Sequence, residues 1–160
     1  ANSFDFLKTD KTIVGMRTFS KAFGLAGLRV GYGVMPAPLA ELLHRVRQPF
    51  NVNTLAQVAA AAALGDTDFL TTTLNLVHDE LEFIYTALNK LGMPYIRSHA
   101  NFLMIDIGKA QTADEVSERL LRQGVIVRSL TAYGYPQYIR VNVGKHEENL
   151  RFLDALEKVI

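Results

Sequence analysis

Residues 11–18 (KTIVGMRT) are β-branched and apolar with little alternation, and residues 29–35 (RVGYGVM) read the same way. Such runs predict strands of a buried sheet covered on both faces. Pro36 and Pro38 then open a helix carrying Leu39, Leu42, Leu43 and Val46 at spacings of three and four, which Pro49 ends. A second helix begins near Asn53 or Thr54, carries Leu55, Val58, Ala59 and Ala62, and stops at Gly65. Its small residues predict tight packing against another element. From Asp66 the positions Phe69, Leu70, Leu74, Val77, Leu81, Ile84, Leu88 and Leu91 sustain helical periodicity in one long helix, with Gly92 as its terminator.

Beyond Met93-Pro94 the pattern changes. Strands are predicted at 101–107, 125–127 and 138–143, alternating with helices at 112–123 and 145–159, so a second lobe starts near residue 93. Thr112 and Glu115 have capping-box spacing, and Gly124 closes that helix. The whole reads as an α/β protein.

Composition narrows the function. The chain has 160 residues, near the size of one domain, or of two small lobes sharing a core. Its net charge of +1 is too balanced for a general binder of nucleic acid or anionic membranes. With no cysteine there is no disulfide, thiolate nucleophile or cysteine-bound zinc. The longest apolar run, around 58–64, is far short of the ~20 residues that cross a bilayer, so a soluble, cytoplasmic protein is expected. The opening Ala1-Asn2-Ser3-Phe4-Asp5 carries no export signal and fits a processed chain or a piece of a longer one. His44, His78, His99 and His146 form no H-x-x-x-H pair, which argues against a metal site. His78 and Glu82, one turn apart, read as helix-surface pairing, and Asp79, Glu80 and Glu82 as a solvated charge run.

The chemistry concentrates at residues 18–29, TFSKAFGLAGLR. Thr18 and Ser20 offer hydroxyl donors to a phosphate, and Arg29 a planar, permanently charged fork. Lys21 is then the reactive group, an amine able to form a Schiff base with an aldehyde. Gly24 and Gly27 permit close backbone approach and tight turning. The residues alone leave open that Lys21 is a surface lysine in a strand-to-helix loop and Arg29 a structural ion-pair residue. The glycines fit neither G-x-x-x-x-G-K-[ST] nor a dinucleotide fingerprint.

The pattern S-K-x-x-x-L-A-G-L-R-x-G-Y closely resembles the pyridoxal-phosphate lysine segment of fold-type I aminotransferases. With Gln48-Pro49-Phe50-Asn51-Val52-Asn53, Ala100-Asn101-Phe102-Leu103 and Ile139-Arg140-Val141-Asn142-Val143-Gly144, it looks like the histidinol-phosphate aminotransferase branch. The resemblance implies that Lys21 binds pyridoxal 5′-phosphate and that Thr18, Ser20 and Arg29 hold the cofactor's phosphate. It also implies that Arg140 pairs with the substrate carboxylate and that Arg128 helps bind the phosphate of histidinol phosphate. From the residues alone, both arginines equally suit the edge of a sheet. Tyr133, Tyr135 and Tyr138 suit packing better than a substrate entrance.

By the same resemblance, residues 1–65 are the end of a large cofactor-binding domain, 66–92 a long connecting helix and 93–160 a small C-terminal domain. The family's aspartate for the pyridine nitrogen lies well upstream of the lysine. Asp5 and Asp10, sixteen and eleven positions before Lys21, do not fit it. The expectation is therefore a C-terminal part, inactive alone, of a homodimeric enzyme whose missing N-terminal segment completes the site. Amino-acid and keto-acid substrates are implied. An aromatic-amino-acid aminotransferase, a threonine-phosphate decarboxylase and a non-catalytic isolated domain are the alternatives.

Overall fold

The computed structural model describes residues 3–9 and 12–160. Asp10 and the start of the first predicted strand at Lys11 lie outside them. The chain divides into two compact units, residues 1–72 and 73–160, with the division inside a helix.

In the first unit β1 (Gly15–Thr18) pairs antiparallel with β2 (Gly31–Val34), with Gly15 opposite Val34 and Thr18 opposite Gly31. The strands expected here form, but in these 160 residues they are not buried. Among the described residues the unit has only this two-stranded ribbon, and Met16, Tyr32 and Val34 are exposed. Gly31 fits the ribbon because a Cβ there would stand 2.7 Å from the Arg17 carbonyl oxygen. The helix α1 (Ala37–Val46) follows Pro36, as predicted, yet leaves Leu42, Leu43 and Val46 exposed. The helix α2 (Thr54–Gly65) is capped by Asn53, whose Oδ1 accepts the Ala56 N–H at 2.8 Å, and it buries Ala56 and Ala60. Asp66 Oδ1 accepts the Phe69 N–H at 3.0 Å and starts α3 (Thr67–Lys90).

The second unit holds an antiparallel sheet in the order β3 (Tyr95–Ile96), β4 (Phe102–Asp106), β6 (Tyr138–Asn142), β5 (Arg128–Ser129), with helices α4 (Ala113–Arg122) and α5 (His146–Val159). Burial alternates along β4 and β6. Leu103, Ile105, Ile139 and Val141 enter the core with Ile84, Leu88, Val116, Leu120 and Leu156, while Phe102, Met104, Tyr138 and Arg140 lie on the opposite face. Each fully buried aliphatic side chain contributes about 1.5–3 kcal/mol. The strand predicted at 125–127 forms later, at β5. The Val125 N–H is taken by the Leu120 carbonyl at the end of α4 (3.0 Å), so ladder pairing begins only at Arg128. The strand β3 was not predicted, being two residues long.

Two polar features tie this unit together. The predicted capping box forms: the Glu115 N–H donates to Thr112 Oγ1 (3.2 Å), and Glu115 Oε2 accepts from the Thr112 N–H (2.7 Å) and hydroxyl (2.9 Å). These bonds, the backbone N–H first and the hydroxyl second, hold the Glu115 carboxyl below the usual range. A carboxyl lowered in the folded state contributes stability that is present above its unfolded pKa and lost as pH falls through the folded value. Glu115→Gln should therefore flatten the acid limb of the stability–pH curve. Urea melts of both proteins through the carboxylate range check this, and parallel curves would count against it.

The second feature corrects the solvated acidic run. Glu80 turns inward. Its Oε2 accepts from Asn149 Nδ2 at 2.7 Å, and its Oε1 lies 2.9 Å from His146 Nδ1. Glu82 pairs with Arg97 rather than with His78.

Candidate active site

The segment 19–30 is a loop closed on itself between β1 and β2. The Phe19 N–H donates to the Val30 carbonyl (3.2 Å) and the Leu25 N–H to the Phe19 carbonyl (3.0 Å). Phe19 is buried, with its ring 4.9 Å from Phe23 and 5.8 Å from Tyr32. An apolar plug thus anchors the loop, and the polar residues around it project from a fixed base. Lys21 is exposed, and its carbonyl accepts the Gly24 N–H at 2.9 Å. Gly24 turns at φ 70°, as a tight turn requires. A Cβ at Gly27 would meet nothing within 4 Å, so that glycine faces open space.

Thr18, Ser20 and Arg29 line one cavity of about 420 Å³ at the open side of the ribbon, together with Arg17, Gly31 and Tyr32. Lys21 follows directly after Ser20 without lining it. Thr18 Oγ1 accepts the Ser20 N–H (3.0 Å), which leaves the threonine proton free to donate. Arg29 has a left-handed backbone, φ 57° and ψ 56°, unusual for a residue with a Cβ and stored most often at functional sites. Its Nη1 donates to the Ala26 carbonyl (2.7 Å), and the other N–H groups of its fork remain for an anion. Two hydroxyls and a guanidinium on one cavity fit a phosphate dianion.

In the second unit Arg128 and Arg140 are register partners on β5 and β6, so their side chains share one face of the sheet. Arg140 is half-buried, its Nε has no hydrogen-bond partner, and its guanidinium lies 5.0 Å from the Phe102 ring centroid. A buried, unsatisfied donor of this kind suits an anionic ligand such as a carboxylate. Arg128 is exposed, 5.4 Å from the Tyr133 ring centroid. The roles of Phe102 and Tyr133 beneath the two guanidiniums were missed in the sequence. Only the strand register could have revealed that alternate residues of β4 and β6 share the arginine face.

The chain belongs to the aminotransferase class I and II family, whose profile matches residues 1–156. It is 51% identical over 144 residues to a histidinol-phosphate aminotransferase of Desulfotalea psychrophila, covering 90% of this chain and 38% of that protein. A histidinol-phosphate aminotransferase from Sinorhizobium meliloti, solved in complex with pyridoxal-5′-phosphate, superposes with a TM-score of 0.83 at 29% identity, over 94% of this chain and 42% of that one. An L-threonine-O-3-phosphate decarboxylase from Porphyromonas gingivalis gives 0.84 at 27% identity, over 96% and 48%. The chain thus spans about two fifths of the length of the curated relatives it matches. Among the described residues no helix is long and apolar enough to cross a membrane.

Proposed function

We propose that this chain is the C-terminal part of a pyridoxal-phosphate-dependent aminotransferase that converts histidinol phosphate and 2-oxoglutarate to imidazole-acetol phosphate and glutamate, a step of histidine biosynthesis. The observation that carries the reading is the convergence of Thr18, Ser20 and Arg29 on one cavity directly beside Lys21. Identity to histidinol-phosphate aminotransferases over nearly the whole chain supports the substrate.

In this reading Thr18, Ser20 and Arg29 hold the phosphate of pyridoxal 5′-phosphate, and Lys21 is the amine that binds its aldehyde. When bound, that group supplies an electron sink for the substrate's α-carbon. Lys21 would carry a proton to and from the substrate's Cα as the general base. Arg140 fixes the carboxylate of glutamate or 2-oxoglutarate, and Arg128 the phosphate of histidinol phosphate. Residues 1–65 complete the large cofactor-binding domain, 66–92 connect, and 93–160 form the small domain. Activity belongs to a chain of the relatives' full length, working as a cytoplasmic homodimer, and the 160 residues alone are inactive. The exposed Leu42, Val46, Leu55 and Val58 are apolar surface that such additional chain would cover.

Steady-state rates with histidinol phosphate, phenylalanine and threonine phosphate test the substrate. Histidinol phosphate should give the highest kcat/KM. Faster turnover of phenylalanine would reassign the protein as an aromatic-amino-acid aminotransferase, and carbon dioxide release from threonine phosphate as a decarboxylase, the reading the Porphyromonas gingivalis neighbour favours. Arg128→Ala should lower kcat/KM for histidinol phosphate about tenfold to a hundredfold, the size of a lost charged hydrogen bond. An equal loss with phenylalanine would speak against the phosphate role.

A further inference from the structure

Arg128 and Arg140 stand directly opposite each other, an arrangement of like charges that destabilises a strand pair. Among the described residues neither has a carboxylate within ion-pair distance. Each guanidinium instead lies over an aromatic ring, Arg140 over Phe102 and Arg128 over Tyr133. A ring beneath a guanidinium occupies its face and leaves its in-plane N–H edge open, whereas a carboxylate would occupy that edge.

Tyr133 is more than half exposed, but its backbone is fixed. It ends a short 3-10 turn, Thr131–Tyr133, whose Leu130 carbonyl accepts both the Tyr133 N–H (2.9 Å) and the Tyr135 N–H (3.1 Å). Leu130 is itself buried and donates its N–H to the Tyr138 carbonyl (3.0 Å). The Ser129 and Thr131 hydroxyls bond at 3.0 Å and brace the other end of the turn. The ring is therefore delivered to the Arg128 face from a braced turn.

We infer that Tyr133 is a positioning residue that holds the Arg128 guanidinium edge-out for the phosphate of a phosphorylated amine, and so sets selectivity for that substrate over unphosphorylated ones. The inference rests on the Arg128 role proposed above. Like that role, it concerns substrate recognition and leaves Lys21 chemistry untouched.

The test uses the complete enzyme with Tyr133→Ala, Tyr133→Leu, Tyr133→Phe and Arg128→Ala, assayed with histidinol phosphate and with glutamate as amino donors. Tyr133→Ala and Tyr133→Leu should raise KM for histidinol phosphate about threefold to fivefold, with kcat and the glutamate KM little changed. Tyr133→Phe, which keeps the ring face, should behave as wild type. Because Tyr133 is exposed, thermal midpoints should stay within about 2 °C. The inference is overturned by unchanged KM in the alanine and leucine variants, by equal rises for both donors, or by a phenylalanine variant as impaired as alanine. If Tyr133→Ala is silent while Arg128→Ala weakens histidinol phosphate, this inference alone falls. If Arg128→Ala is silent as well, the proposed phosphate role falls with it.

Discussion

Lys21→Ala in the complete enzyme should abolish transamination, lowering turnover by at least about ten-thousandfold, the scale at which removing a covalent catalytic group is felt. The loop geometry explains why the loss should be chemical rather than structural. The Lys21 side chain is exposed, and the loop uses only its carbonyl, which accepts the Gly24 N–H. Phe19 and the Leu25 N–H to Phe19 carbonyl bond hold the loop without it. Lys21→Arg should be as inactive, because a guanidinium stays protonated and offers no neutral amine. Borohydride treatment in the presence of pyridoxal phosphate, followed by peptide mass analysis, should place the adduct at Lys21 in the parent and nowhere in the alanine variant. Turnover that survives the substitution, or label spread evenly over the other lysines, would refute the assignment.

What the sequence made legible follows the range of the interactions involved. The five helices were readable because their signals are local: Asn53 caps its own helix three residues ahead, and the Thr112–Glu115 box closes within one turn. The segment 18–29 was readable for the same reason, as its hydroxyls, lysine and arginine share one short loop. The misplaced strand at 125–127 shows the opposite case. Its apolar triplet has strand propensity, but pairing depends on β6, and the end of α4 claims the Val125 N–H first. Register hid the most consequential feature of the site: nothing local to Arg128 indicates that Arg140, twelve positions on, will stand opposite it. Glu80 was misread because its partner Asn149 lies 69 residues away.

That partnership carries the largest stability effect expected in the second unit. Asn149 is only 2% exposed, and every polar atom of its amide is used. Its Oδ1 accepts the Gly144 N–H (3.0 Å), while Nδ2 donates to the Gly144 carbonyl (3.0 Å) and to Glu80 Oε2 (2.7 Å). The amide orientation is determined by this set, because a flip would set its oxygen against the carboxylate. Asn149→Ala strands the Gly144 N–H and one oxygen of the mostly buried Glu80, and should cost about 3 kcal/mol by the summed penalty of unsatisfied buried groups. Asn149→Asp should cost more at neutral pH, because it puts a second carboxylate where the donor stood. One of the two must then keep its proton in the folded state, so that variant binds more protons folded than unfolded and regains stability as the pH falls. Adding Glu80→Gln to Asn149→Asp exchanges donor and acceptor across the Glu80 contact and should recover part of the loss at neutral pH, the Gly144 carbonyl still lacking its donor. Urea denaturation of the full chain measures all three. An alanine variant as stable as the parent, or a double variant no better than Asn149→Asp alone, would show that the contact does not hold α5 and the turn after β6 to α3.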